Sequence, residues 1–190
     1  INAATEPDYV TGSPVVELNG SGAGGGVSGL VLNASGSTVR GLVINRFNLY
    51  GIGVAGDNNT IAGNFIGTNI AGTLDQGNTN TGIELLSTAD NNTIGGNTAA
   101  DRNIISGNDQ TGVGIKGGSG NVVIGNYVGL NAAGNAAIGN TINGVSLNNG
   151  SSSNTIGGTT SAERNVISGN LVGGMAVSYT HLTLPTSFLV

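Results

Sequence analysis

The sequence predicts an all-β chain wound as a three-sided parallel β-solenoid of about six coils, spanning residues 1–177. Three observations predict it. Glycine takes 36 of the 190 positions, which disfavours helix, where each Gly costs about 1 kcal/mol relative to Ala. A 62-residue unit occurs nearly twice: residues 93–108 (TIGGNTAADRNIISGN) return as residues 155–170 (TIGGTTSAERNVISGN), with 12 of 16 positions unchanged. Finally, β-branched residues fall into columns once that unit is subdivided.

The subdivision starts from Thr38. Its equivalents are Thr60, Thr93, Val122 and Thr155, in steps of 22, 33, 29 and 33 residues. The base coil is therefore about 22 residues, with inserts at alternating places. The first strand of each coil carries Val39, Ile61, Ile94, Val123 or Ile156. The second carries Ile44, Ile66, Ile105, Val128 or Ile167. The third carries a pair two residues apart: Ile52/Val54, Ile83/Leu85, Val113/Ile115, Val145/Leu147 or Met175/Val177. Residues two apart on a strand share a face, so each pair points inward. The residue between them (Gly53, Glu84, Gly114, Ser146, Ala176) is small or polar and suits an outward position. Residues 14–18 (PVVEL) extend the strand pattern toward the N-terminus, and Leu30 and Leu32 match the third pair.

Gly and Asn, which tolerate left-handed backbone, punctuate the strands and mark the corners. Two Asn columns, Asn64/Asn103/Asn126/Asn165 and Asn69/Asn108/Asn131/Asn170, are expected to stack as hydrogen-bonded amides. The inserts are of two kinds. Residues 69–80 and 131–143 lie between second and third strands, and residues 97–102 and 159–164 between first and second. Each kind should stack on its own corner as a ridge.

Composition removes several function classes. Without Cys there is no disulfide scaffold or zinc ribbon. Five Lys+Arg against ten Asp+Glu leave no basic footprint for nucleic acid. No apolar run approaches the roughly 20 residues of a membrane-spanning helix.

Four segments carry a family likeness: residues 4–20 (ATEPDYVTGSPVVELNG), 37–47 (STVRGLVINRF), 63–73 (GNFIGTNIAGT) and 154–170 (NTIGGTTSAERNVISGN). In these the chain resembles the right-handed parallel β-helix repeat proteins of bacteria, long secreted or surface polypeptides built from Asn/Gly-rich coils. The resemblance covers about residues 1–177 and implies right-handed winding, an extracellular or cell-surface location, and continuation into further coils of a longer chain. Residues 1–3 read as the close of a strand from a preceding coil. Residues 178–190 (SYTHLTLPTSFLV) abandon the repeat and look foreign to it.

The chemistry-bearing residues are few. Asp57 and Asp90 recur in the coil-closing turn, one rung apart, with no further acid in later coils, where Gly120 and Ser153 fall near the same place. Two stacked carboxylates suit a solvated Asx turn, and with carbonyl and Asn oxygens they suit Ca²⁺; hydrolysis of a glycoside would need paired carboxylates about 5–10 Å apart. The basic residues Arg40, Arg46, Arg102, Lys116 and Arg164 form no cluster in sequence, and Asp101-Arg102 and Glu163-Arg164 read as surface ion pairs. The single His181 sits in the aberrant tail. Phe65 and Tyr127 precede the second core column; facing outward they would form an aromatic stripe for stacking on sugar rings, or else they pack beneath the inserted loops. A regular Thr row for an ice or crystal surface is broken at Val122. The leading expectation is a non-catalytic spacer or adhesin segment contacting polysaccharide or a host or matrix surface. The alternative is a carbohydrate-active β-helix whose catalytic coils lie elsewhere or at Asp57/Asp90.

Overall fold

The computed structural model describes residues 1–178; His181 and the rest of the divergent tail lie outside the described residues. The strands pair in parallel, each with its equivalent in the neighbouring coil, and form three sheets. The first sheet holds Thr38–Arg40, Thr60–Ala62, Thr93–Gly95, Val122–Ile124 and Thr155–Ile156. The second holds Val16–Asn19, Leu42–Asn45, Phe65–Ile66, Ile104–Ile105, Tyr127–Val128 and Val166–Ile167. The third holds Leu30–Leu32, Ile52–Val54, Ile83–Leu85, Val113–Lys116, Asn143–Asn148 and Gly173–Val177. The fold is a three-sided parallel β-helix.

Register follows the sequence columns. Val39 pairs with Ile61, Ile61 with Ile94, Ile94 with Val123 and Val123 with Ile156. Ile44, Ile66, Ile105, Val128 and Ile167 stack in the same way. Residues from all three sheets share one apolar core, in which Ile61, Ile66, Ile83, Ile94 and Ile105 are fully buried. Burying each such side chain contributes on the order of 2 kcal/mol. At the N-terminus, Asn2 bridges in parallel to Arg40 and Ala3 is buried in the core. Residues Ala3–Thr5 form a 3₁₀ turn rather than continuing a strand, because the Asn2 side chain accepts from the Ala4 N–H and caps it.

Three Asn ladders run along the corners. In one, Asn64, Asn103, Asn126 and Asn165 stack as expected. The backbone N–H and the side-chain Nδ2 of Asn64 both donate to Oδ1 of Asn103, at 2.9 and 3.1 Å. Asn103 does the same to Asn126, and Asn126 to Asn165. Each Nδ2 also donates to a carbonyl of the preceding coil, as from Asn103 to Ile61 at 2.8 Å. The second ladder corrects the expected column: it is Asn78, Asn108, Asn140 and Asn170. Asn69 and Asn131 instead open the inserted loops, where their Oδ1 atoms accept from Thr73 and Leu74, and from Asn135 and Ala136. The insert follows these residues, so the corner Asn comes nine positions later than the local GTN/GLN match suggests. The third ladder, Asn59, Asn92, Asn121 and Asn154, occupies the coil start. Just before it runs a left-handed column of Gly36, Asn58, Asn91, Gly120 and Ser153, a conformation in which only Gly, and to a lesser degree Asn, sits without strain.

Truncating the middle of a ladder strands buried donors on one side and an acceptor on the other, each costing roughly 1–3 kcal/mol. Asn103→Ala should therefore lower the unfolding free energy by about 3 kcal/mol, read from the denaturant midpoint at unchanged slope. A loss below about 1 kcal/mol would show the ladder to be incidental.

Candidate functional site

Asp57 and Asp90 are brought together, as their spacing implied, and both are engaged with backbone. Asp57 Oδ1 accepts from the Asp90 N–H at 2.9 Å, and Asp90 Oδ1 accepts from the Ser119 N–H at 2.7 Å. Below them the Asp57 N–H donates to Ser35 Oγ, and above them Ser119 Oγ meets Ser152 Oγ at 2.8 Å. The column is thus Ser35, Asp57, Asp90, Ser119, Ser152. Gly120 and Ser153 lie one residue later, in the left-handed column. Among the described residues no three of His, Cys, Asp and Glu converge as a metal-binding group.

Phe65 faces outward from the second sheet, yet only 3% of it is exposed. It packs with Val43, Ile104, Tyr127 and Ala132 in a second, smaller cluster. The loops beginning at Asn69 and Asn131 fold over this face and meet, the Ala132 N–H donating to the Gly72 carbonyl at 2.9 Å. A Cβ at Gly72 would stand 2.8 Å from Phe65 Cε2, and one at Gly134 would stand 2.5 Å from Tyr127 Cε2. The two aromatics sit beneath the loop ridge, and the Arg102 guanidinium stacks 4.3 Å from the Tyr127 ring centre.

The anticipated neighbour pairs at the other ridge are not formed. Asp101 pairs with Arg40, from two coils earlier, whose Nη1 also donates to the Ala100 carbonyl at 3.1 Å. Glu163, the counterpart of Asp101, accepts from the backbone of Thr159 and Thr160. Burial alone would raise the Asp101 pKa, but the Thr98 hydroxyl and the Arg40 guanidinium outweigh it and hold the carboxyl below the ordinary 3.8.

The feature with the most chemistry is one that sequence reasoning passed over. On the outer face of the third sheet, Glu84 is only 1% exposed. It lies down across Gly114, where a Cβ would stand 2.6 Å from Glu84 Oε2, so a side chain at that position would expel the carboxylate. Lys116 Nζ approaches Oε1 at 3.0 Å, with 39% of the lysine side chain exposed. Burial would lower the Lys116 pKa, but Glu84, with Tyr50 behind it, outweighs this and holds the ammonium above the usual lysine range. The pair forms the floor of a cavity of about 240 Å³, walled by Thr111, Asn143, Ser146 and Asn148. Strands position these side chains except that of Thr111, which lies just before Val113–Lys116, and Lys116 and Asn148 are direct register partners.

Two measurements test this description. Phe65→Ala should cost roughly 3 kcal/mol in a chemical melt, as expected of a packed rather than a displayed ring. Because the folded pKa of Asp101 is depressed, its contribution is present above pH 3.8 and lost as pH falls through the lower folded value. Asp101→Asn should therefore lower the melting temperature at pH 7 and leave it unchanged at pH 2; an equal loss at both would rule out the ion pair. Compared with family models, curated proteins and solved structures, the chain gives no match.

Proposed function

We propose that the chain is a rigid, non-catalytic structural and adhesive segment of a larger secreted or cell-surface protein. One observation carries this reading: the polar residues stacked at the coil corners are engaged in binding coil to coil. The Asn ladders, the Ser35–Asp57–Asp90–Ser119 column and the Arg40–Asp101 bridge all run along the axis. Buried, aligned amides resist shear between coils because each breaks into an unsatisfied donor and acceptor. Such a design suits a spacer that keeps its shape while holding something at a distance.

The carbohydrate-active alternative rests on Asp57 and Asp90. Each has one carboxylate oxygen engaged by the next coil's backbone, which fits a structural turn more directly than proton transfer. Held by its two ends in an optical trap, the chain should resist extension and yield in coil-sized steps, with Asn103→Ala yielding at lower force. Smooth extension without resistance would refute the spacer reading. A panel of polysaccharides, with and without Ca²⁺, should show no turnover; cleavage abolished by Asp57→Asn or Asp90→Asn would establish the alternative instead.

A further inference from the structure

We propose that Lys116 and Asn148 react to form an isopeptide bond between neighbouring coils, with Glu84 as the base that takes the lysine proton. This goes beyond the spacer reading and rests on residues outside the corner columns, so either can fail alone.

Three complementary groups meet on the outer face of the third sheet. Lys116 and Asn148 are register partners on adjacent parallel strands, so their backbones stand one strand spacing apart, about 4.8 Å. Both side chains line the same cavity, and the four-carbon lysine stem more than spans the gap between them. Glu84 belongs to the coil before Lys116, but its carboxylate lies over Gly114, two residues from Lys116 on the same strand. It is therefore carried to the level of the lysine, where Oε1 meets Nζ at 3.0 Å. An amine, a base in contact with it and a primary amide thus share one face of three successive coils.

The surroundings suit the reaction. The amide oxygens of the ladders are fixed by donors from the coil before, as Asn64 Oδ1 is by the Leu42 N–H. Asn148 Oδ1 is buried and accepts no hydrogen bond, so nothing on that oxygen holds the carbonyl carbon away from the lysine. Glu84 is 1% exposed, so a proton passed to it stays within the site rather than escaping to bulk water. Lys116 rests as the ammonium, because Glu84 and Tyr50, the titratable groups that face it, favour that form. A lysine nucleophile is activated by an adjacent base, and here the minor neutral amine is needed only once in the life of each molecule.

The step balances without an oxidant or a second reactant. Glu84 takes one proton from the ammonium. The neutral Nζ attacks Asn148 Cγ, its second proton passes to Nδ2, the Cγ–Nδ2 bond breaks and ammonia departs. The proton on Glu84 leaves with it as ammonium, which restores the carboxylate. The product is a secondary amide joining the two strands.

The test is the mass of the whole chain, followed during incubation at pH 7, 8 and 9. The chain should become lighter by one ammonia, about 17 Da, at a rate rising about tenfold per pH unit as the neutral amine grows. Trypsin should then fail to cut after Lys116, so that residues 103–164 emerge as one peptide carrying the deficit. Lys116→Arg, which keeps the charge, and Asn148→Ala should each retain full mass, with circular dichroism confirming that both are folded. Glu84→Gln should slow the loss at least about tenfold. Full mass at every pH, a deficit in a chain still cut after Lys116 (the mark of a succinimide at an Asn-Gly step such as Asn149-Gly150), or an unchanged rate in Glu84→Gln would overturn the proposal.

Discussion

A parallel solenoid has no local way to satisfy its corners. Strands pair with the coils before and after, but at each turn the backbone leaves the ladder, and its N–H groups point toward the interior of the stack. Burial without partners would cost each of them a few kcal/mol. In this chain one side chain per corner resolves the problem. The Asn amide is short enough to lie within the turn, accepts from the coil before it, and donates in both directions. A Gln would overreach, and an Asp would set one carboxylate oxygen against the acceptor of the next coil. The core of stacked Ile and Val supplies the driving force for winding, while the ladders fix where each turn occurs.

That division explains how inserts are tolerated. Coils of 22 to 33 residues stack without disturbing the core, because the extra residues leave after one ladder position and return before the next. The two long loops then gain cover of their own by closing over Phe65, Ile104 and Tyr127. What is an exposed face in a bare coil becomes a second, thin apolar layer. The loop-bearing coils place Phe65 and Tyr127 on that face, Val43 and Ile104 from neighbouring coils join the same cluster, and Val166 is left exposed.

The architecture was legible because its signal is periodic: every core column read from the sequence pairs in register, down to Thr38 against Thr60 and Met175 against Val145. The Asn64 ladder was legible for the same reason. Legibility failed where a variable insert separates equivalent residues, as with Asn78 and Asn140, and where one residue of register decides identity, as with Ser119 against Gly120. The Arg40–Asp101 bridge joins residues 61 apart in sequence and two coils apart in space, with no shared motif to announce it. Glu84 appeared as one outward residue in a small-residue row. Its burial follows from what stands above it, a glycine, and beside it, a lysine on the next strand. Neither is visible until the coils are stacked. The sequence did place the groove's row on the outer face, but gave no measure of its depth.

The ladders also give the rod a chemical direction. In all three, Oδ1 accepts from the coil before and the side-chain Nδ2 donates to the coil after, except at Asn59, where the backbone N–H alone does so. They start on the plain backbone N–H groups of Ser37, Leu42 and Phe47, and among the described residues they end on the Oδ1 atoms of Asn154, Asn165 and Asn170. A coil that extended the ladders by the same pattern would bring three Oδ1 atoms to those corners. Two such surfaces brought face to face would oppose donor with donor, so stacking through the ladders is compatible with head-to-tail order alone.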